Sequence, residues 1–187
     1  GDGNKFPDAI DGTVNTQAVP LVAIPQIDLT PYYNEAARDG ASGIYNGDQF
    51  WSSTLPPIPT HGIIWINGNL KVTGNLNFGN VTIIATGSIE WQGGSITNFS
   101  TYPALVSRDG NISITANQDI QGLIYAKTGG VTKGGDGMLT GQIICNGEFT
   151  KAGGASAIYY LDSAPIPPGG GDAGPGPDVI GISAWSK

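Results

Sequence analysis

The chain of 187 residues contains 30 glycines and 13 prolines, and only 12% of its residues are charged. This composition is typical of one compact, turn-rich β domain and argues against a disordered chain. The net charge of −7 and the eight scattered Lys and Arg residues argue against nucleic acids and anionic membranes as partners, because both are bound through clustered basic residues.

No stretch approaches the roughly 18 apolar residues that a membrane-spanning helix needs. The single cysteine, Cys145, cannot form an intrachain disulfide, and its position beside Ile144 in an apolar run indicates a packed side chain rather than a reactive thiol. We therefore expect a chain that contacts no membrane itself and is either cytosolic or the soluble part of a longer protein.

Residues 1–61 are predicted to be a lead-in and an N-terminal cap. Four acidic and amide residues near the start leave a calcium loop open as an interpretation, although Phe6 and Pro7 stand where an EF-hand needs an oxygen ligand and a glycine. The other interpretation is an extended polar segment followed by a short strand over residues 19–24. The four residues are Asp2, Asn4, Asp8 and Asp11.

A helix is predicted over about residues 31–38. Thr30 is a favourable N-cap, Pro31 suits the first helical position, and Gly40 follows the expected C-terminus. Because the first coil of a repeat protein exposes apolar side chains and strand edges, we expect this helix, together with Trp51, to cover that end.

Residues 47–61 are predicted to be irregular and to lead into the repeats. Phe50 and Trp51 could form a shelf for a ligand, or they could pack over the end or flank of the repeats. The only histidine, His61, cannot build a multi-histidine metal site, and we interpret it as a solvated loop residue at the entrance to the first repeat.

Residues 62–162 repeat one pattern five times, in which apolar residues are followed by a glycine and then by alternating residues. The residue two places after each glycine is apolar and the next one is polar, which is the period of two expected of a β-strand. The glycines are Gly68, Gly87, Gly110, Gly129 and Gly147, and the apolar residues are Leu70, Ile89, Ile112, Val131 and Phe149.

Two further apolar columns accompany the first. The second is Ile64, Ile84, Val106, Ile124 and Ile144, and the third is Leu76, Ile96, Ile120, Leu139 and Ile158. Three strands per repeat, turned by Gly and Asn that tolerate positive φ, predict an all-β fold: a parallel β-solenoid of about five coils, right-handed as parallel crossovers are. An antiparallel sandwich or jelly roll also shows alternation, but it does not require one residue class at the same offset five times.

The end of the chain differs from the repeats in composition. Residues 163–178 are rich in Pro and Gly and are predicted to be a linker. Residues 179–187 are apolar enough to form a C-terminal strand, which would either dock back on the solenoid or pair with a partner.

Some β-solenoids cleave polysaccharides with paired carboxylates, and the candidates here are Glu90, Asp109 and Glu148. Glu90 and Glu148 lie three coils apart, and at about 4.8 Å per coil the roughly 14 Å between them is too long for two groups that act on one bond. Asp109 lies at the start of a strand. We therefore predict no catalytic, cofactor-binding or metal-binding residue and no cofactor.

Several short sequence segments follow one another in a characteristic order along the chain. They are residues 24–29 with the helix that contains Tyr32 and Tyr33, residues 62–70, 84–89, 104–106, 122–126 and 141–144, and the closing residues 182–187. This order resembles the C-terminal ectodomain of PilX-type pilus assembly proteins. The repeats alone also resemble bactofilins, which are cytoplasmic polymers built from stacked repeats.

The pilus resemblance implies an extracellular or cell-surface domain of the bacterial envelope, tethered through a pilin-like helix in a segment absent from this chain, and it supplies no catalytic residues. We accordingly expect a non-enzymatic structural and interaction domain, minor-pilin-like or adhesin-like. Its expected partners are other pilus or surface subunits and an external glycan or other surface ligand. Two alternatives stay open: a polysaccharide lyase or glycosidase of the β-helix type, and a bactofilin-like self-assembling scaffold.

Overall fold

The computed structural model describes residues 26–98, 102–153 and 158–160. These residues form helix α1 (Thr30–Arg38), a short 3₁₀ turn (Gly40–Ser42) and 14 strands. The strands are β1 (Ile44–Asn46), β2 (Gln49–Trp51), β3 (Ile63–Asn67), β4 (Leu70–Val72), β5 (Thr82–Ala85), β6 (Ile89–Trp91), β7 (Ile96–Thr97), β8 (Leu105–Ser107), β9 (Ile112–Ile114), β10 (Ile120–Ala126), β11 (Val131–Lys133), β12 (Leu139–Cys145), β13 (Phe149–Lys151) and β14 (Ile158–Tyr160).

The strands wind into a parallel β-solenoid, which confirms the predicted fold class. The larger sheet has the order β1-β3-β5-β8-β10-β12-β14, and the smaller sheet has the order β2-β4-β6-β9-β11-β13. Strand β10 pairs with β7 through its first residues and with β8 through its last, so it bends from a third side of the prism into the larger sheet. Gly122 lies at this bend with φ of 129°. About six three-sided coils stack in this way.

The first coil begins at Ile44, upstream of the predicted start at residue 62. Strand β1 pairs with β3, and β2 pairs with β4. Gln49 lies opposite Leu70, in the row that holds apolar side chains in the later coils. The first repeat cannot be recognised in the sequence, because this polar residue interrupts the apolar pattern that marks the other repeats.

The smaller sheet has the predicted register. Its inward row runs through Leu70, Ile89, Ile112, Val131 and Phe149, one residue from each successive strand. The first four of these side chains are at most 1% exposed. The third predicted column is confirmed from Ile96 to Ile158, whose residues are paired from strand to strand. Its first member is wrong: Asn77 pairs with Ser95, so Phe78 and not Leu76 lies beside Ile96.

The second predicted column is wrong, because it mixes two rows of the larger sheet. The inward row consists of Ile64, Ile83, Leu105, Ile124 and Ile143, whereas the neighbouring row consists of Trp65, Ile84, Val106, Tyr125 and Ile144 and points outward. Adjacent residues of a strand point to opposite faces. Both rows are apolar, so alternation cannot tell which of them faces the interior.

Replacing Ile112 by Asp is expected to cost several kcal/mol of unfolding free energy, because an unpaired charge would enter the space between Ile89 and Val131. The matched control is Thr132→Asp, since Thr132 lies in the outward row between the uncharged Ser113 and Thr150; its cost should be within about 0.5 kcal/mol. Urea unfolding followed by circular dichroism measures both. Equal stability of the two variants would contradict the register.

Helix α1 covers the outer apolar row of the larger sheet and does not cover the N-terminal end, so the predicted capping position is wrong. Tyr32 and Ala36 are fully buried, and they pack with Ile27 and Leu29 against the outward side chains of the sheet. The Tyr33 ring meets the Trp65 ring edge to face at 5.2 Å. An amphipathic helix lies where the largest exposed apolar surface is available, and here that surface is the flank.

The start of the helix also differs from the prediction. Leu29 is the N-cap residue and Thr30 is already helical; the Thr30 N–H donates to Asp28 Oδ1 at 2.9 Å. Trp51, expected to cover the end with the helix, instead points into the solenoid. There its ring lies 5.7 Å from that of Tyr45 and 5.8 Å from that of Phe78.

Asp39 links the end of α1 to the entrance of the second coil. Its carboxylate accepts a hydrogen bond from the His61 backbone N–H at 2.9 Å, and its other oxygen lies 2.9 Å from His61 Nδ1. Burial raises the pKa of Asp39, but the hydrogen bonds from His61 and Thr60 and the charge of His61 outweigh it, so the pKa is lowered overall. The paired, partly buried His61 is therefore not the solvated loop residue that the sequence suggests.

The Asp39 contact should make stability depend on acid pH. Because its pKa is lower in the folded chain, its contribution is complete above the pKa of the unfolded carboxyl group and is lost as pH falls through the folded value. Wild-type protein should therefore lose more stability between pH 7 and pH 3 than Asp39→Asn does, as measured by urea unfolding at several pH values. The double variant Asp39→Asn/His61→Gln should show non-additivity; fully additive effects would contradict the contact.

The five repeat glycines are required by close approach between coils and not by positive φ. None of them has positive φ. A Cβ at Gly129 would lie 2.2 Å from the carbonyl oxygen of Gly110, and one at Gly110 would lie 2.6 Å from Ser88 N. Gly68, Gly87 and Gly147 meet the preceding coil in the same way. The corner between the two sheets is therefore too tight for any side chain at this position.

Gly129→Ala is expected to destabilise the protein by about 1–3 kcal/mol, because backbone atoms would have to move. The comparison is Gly79, which has φ of 62° and open space around its Cβ position. There an alanine should cost about 1–2 kcal/mol through backbone strain alone, and asparagine should be better tolerated. Thermal unfolding of Gly129→Ala, Gly129→Asn, Gly79→Ala and Gly79→Asn separates steric contact from backbone strain. If Gly129→Asn were more stable than Gly129→Ala, the steric explanation for Gly129 would be refuted.

Candidate functional site

A ladder of polar side chains follows the glycine corner from coil to coil. The Asn69 N–H donates to Asp48 Oδ1 at 2.8 Å, and the Ser88 N–H donates to Asn69 Oδ1 at 2.8 Å. The Asn111 N–H then donates to Ser88 Oγ at 3.3 Å, and the Gly130 N–H to Asn111 Oδ1 at 2.8 Å. Each side chain thus satisfies a backbone donor of the next coil, which makes this corner rigid.

Beside this ladder lies the outer face of the smaller sheet. One row of outward side chains crosses its strands, and these residues are Phe50, Lys71, Glu90, Ser113, Thr132 and Thr150. The row is polar except for Phe50, which is 62% exposed. The outer faces of the two sheets therefore differ in character: the larger sheet has an apolar row beneath α1, and the smaller sheet has a polar row with one exposed ring.

A shallow depression of about 400 Å³ lies at the N-terminal end of this face, and we call it the Phe50 groove. It extends from the ladder to the outward row and spans three successive coils. Its lining residues are Asp48, Gln49, Phe50, Asn69, Leu70, Lys71, Ser88 and Glu90.

The charged groups of the Phe50 groove are held in place by neighbours. Lys71 Nζ lies 2.8 Å from Glu90 Oε2, and Gln92 Nε2 donates to the same oxygen at 3.4 Å. Hydrogen bonds from the Asn69 backbone and side chain lower the pKa of Asp48, so this carboxylate stays charged. With two carboxylates and one ammonium group, the groove carries a net negative charge.

The three carboxylates singled out from the sequence do not meet at one place. Glu90 lies in the outward row of β6, beside Lys71. Asp109 Oδ2 lies 2.6 Å from Arg108 Nε at a corner of the next coil. Glu148 directly precedes β13, at the far end of the ladder corner. Only Glu90 belongs to the Phe50 groove, and its partner there is a lysine.

Lys133 is only 1% exposed, and the repeat pattern of the sequence does not single it out. It lies in line with Ile114 on the inward side of β11, where its Nζ donates to the Gly134 carbonyl oxygen at 2.5 Å. Burial lowers the pKa of this ammonium group, with a further contribution from the charge of Lys151. Because its ammonium group donates to a backbone carbonyl oxygen within the fold, we interpret Lys133 as a structural residue that stabilises the turn after β11.

Cys145 is partly buried, and burial raises the pKa of its thiol, which agrees with a packed side chain. Among residues 26–98, 102–153 and 158–160, no three His, Cys, Asp or Glu side chains are grouped so that they could hold a metal ion. In the same residues no helix has the length and apolar character needed to cross a membrane. The candidate calcium residues, Asp2, Asn4, Asp8 and Asp11, and the linker and strand predicted after residue 162 lie outside the described residues.

Comparisons of the chain with protein-family models, with curated proteins and with solved structures found no match. The resemblances to pilus assembly ectodomains and to bactofilins stay predictions from the sequence.

Proposed function

We propose that the chain is a non-enzymatic structural and interaction domain of the bacterial cell surface, minor-pilin-like or adhesin-like. It presents the outer face of the smaller sheet to a partner. The observation that carries this proposal is the contrast between the two sheets, since α1 covers the outward row of the larger sheet, whereas the row from Phe50 to Thr150 is partly or fully exposed.

The physical basis of the proposal is rigidity. Parallel strands and the ladder join each coil to the next, so the side chains of an outward row are held at a fixed spacing. A surface of this kind binds without first paying the conformational entropy of becoming ordered. Such preorganisation suits a domain whose task is contact with other subunits or with an external ligand.

The cell-surface location and the pilus or surface subunits as partners rest on the sequence resemblance. Tethering through a segment outside this chain belongs to the same proposal. The acidic charge of the chain, −7 overall, supports a partner other than nucleic acid.

Two other functions would require different features. A polysaccharide-cleaving enzyme needs two carboxyl groups within about 10 Å that act on one bond. Asp109 and Glu148 lie outside the Phe50 groove. Of the two carboxylates inside it, Asp48 accepts hydrogen bonds from the Asn69 backbone and side chain, and Glu90 pairs with Lys71. A self-assembling scaffold needs coil ends that accept another copy. Strands β1 and β2 are the terminal strands of the two sheets, so the light-scattering measurement below decides this alternative.

Purified protein incubated with a panel of polysaccharides is expected to release no reducing ends and no unsaturated products. Light scattering at high protein concentration should show no fibres. The control variant is Glu35→Gln, on the exposed side of α1. If the protein cleaves a polysaccharide, and Glu90→Gln, Asp109→Asn or Glu148→Gln abolishes the cleavage while the control keeps it, the protein is a polysaccharide-cleaving enzyme and the proposal is wrong. Fibre growth would instead show a self-assembling scaffold.

A further inference from the structure

We infer that the Phe50 groove binds a neutral glycan, with the Phe50 ring as a stacking platform and the Lys71–Glu90 pair as the hydrogen-bonding group beside it. This inference rests on the proposed function, because it names the ligand class for the face that the domain presents.

Phe50 is exposed, in contrast to the aromatic residue beside it. Its neighbour Trp51 is 8% exposed and points into the solenoid, whereas Phe50 is 62% exposed in a row of polar side chains. An isolated exposed ring is common, but this ring forms one wall of a depression with polar groups around it. Ligand sites combine an apolar surface with a few fixed polar groups in the same way.

The polar groups of the groove suit hydroxyl groups. Glu90 uses Oε2 for both Lys71 and Gln92, which leaves Oε1 as a charged acceptor. A sugar hydroxyl both donates and accepts, so it can bond to this acceptor and to Lys71. A hydrogen bond to an ionised group is stronger than one between neutral groups.

The shape of the groove indicates a short oligosaccharide. Phe50, Lys71 and Glu90 come from three successive strands of one sheet. At about 4.8 Å between strands, they span roughly 10 Å. The volume of about 400 Å³ lies within the range of small-molecule sites, about 300–1,000 Å³. A sugar chain that crosses the strands would place its apolar face on the ring and its hydroxyls beside the ion pair.

The charge of the groove selects among glycans. Asp48 and Glu90 outnumber Lys71, and the whole chain carries a charge of −7. A polyuronate or a sulfated glycan would therefore be repelled. A neutral glycan meets no such repulsion and still finds charged hydrogen-bonding groups.

The test is isothermal titration calorimetry with soluble hexasaccharides of neutral glucan, xylan and chitin types, and of acidic galacturonan and heparin types. At least one neutral ligand should bind wild-type protein, and Phe50→Ala should weaken that binding at least tenfold. Phe50→Trp, which keeps an aromatic platform, should retain it. Tyr159→Ala is the matched control, since Tyr159 is an exposed aromatic residue at 55% exposure on the third side of the prism, and it should bind as wild type does.

Several outcomes would overturn the inference. These are the absence of binding to every neutral ligand, unchanged affinity in folded Phe50→Ala, or preferred binding of acidic ligands that weakens as salt is added. In each of these cases a non-cleaving, fibre-free protein would leave the proposed function standing. Cleavage of a bound ligand would instead refute the proposed function, so the two failures are distinguishable.

Discussion

The structure depends on the close approach of successive coils at the glycine corner. At Gly87, Gly110 and Gly129 the backbone of one coil lies so near the preceding coil that no Cβ fits. This proximity allows the next residue to place its side-chain oxygen on a backbone N–H one coil further on. The ladder and the parallel pairing thus support each other, because both require the same distance between coils.

Stacking at this distance places equivalent residues in straight rows, and the composition of each row then decides what its surface does. On the larger sheet the outward row is apolar and binds α1, with Tyr32 and Ala36 fully buried. On the smaller sheet the outward row is mostly Lys, Glu, Ser and Thr, and it is partly or fully exposed. The helix therefore completes a second small core, and the surface that we propose for a partner is the outer face of the smaller sheet.

In the first coil one strand contributes both to the interior and to the surface groove. Trp51 joins an interior stack of rings in which Phe78 lies 5.1 Å from Trp91, and the Trp91 indole N–H donates to the Gly94 carbonyl oxygen at 2.9 Å. Its neighbour Phe50 points the other way and forms a wall of the groove. The buried rings hold the strand in place, and so they fix the direction of the exposed one.

The sequence by itself determined the solenoid, the smaller-sheet register and the helix, because the row from Leu70 to Phe149 alternates with polar residues and α1 has local start and stop signals. It could not determine which apolar row of the larger sheet faces inward, since Ile83 and Ile84 are equally apolar neighbours. It also could not reveal the first coil, where Gln49 interrupts the pattern, or the position of the helix. Only tertiary packing decided these, because the outward row of the larger sheet becomes a surface for α1 once the coils have stacked and aligned it.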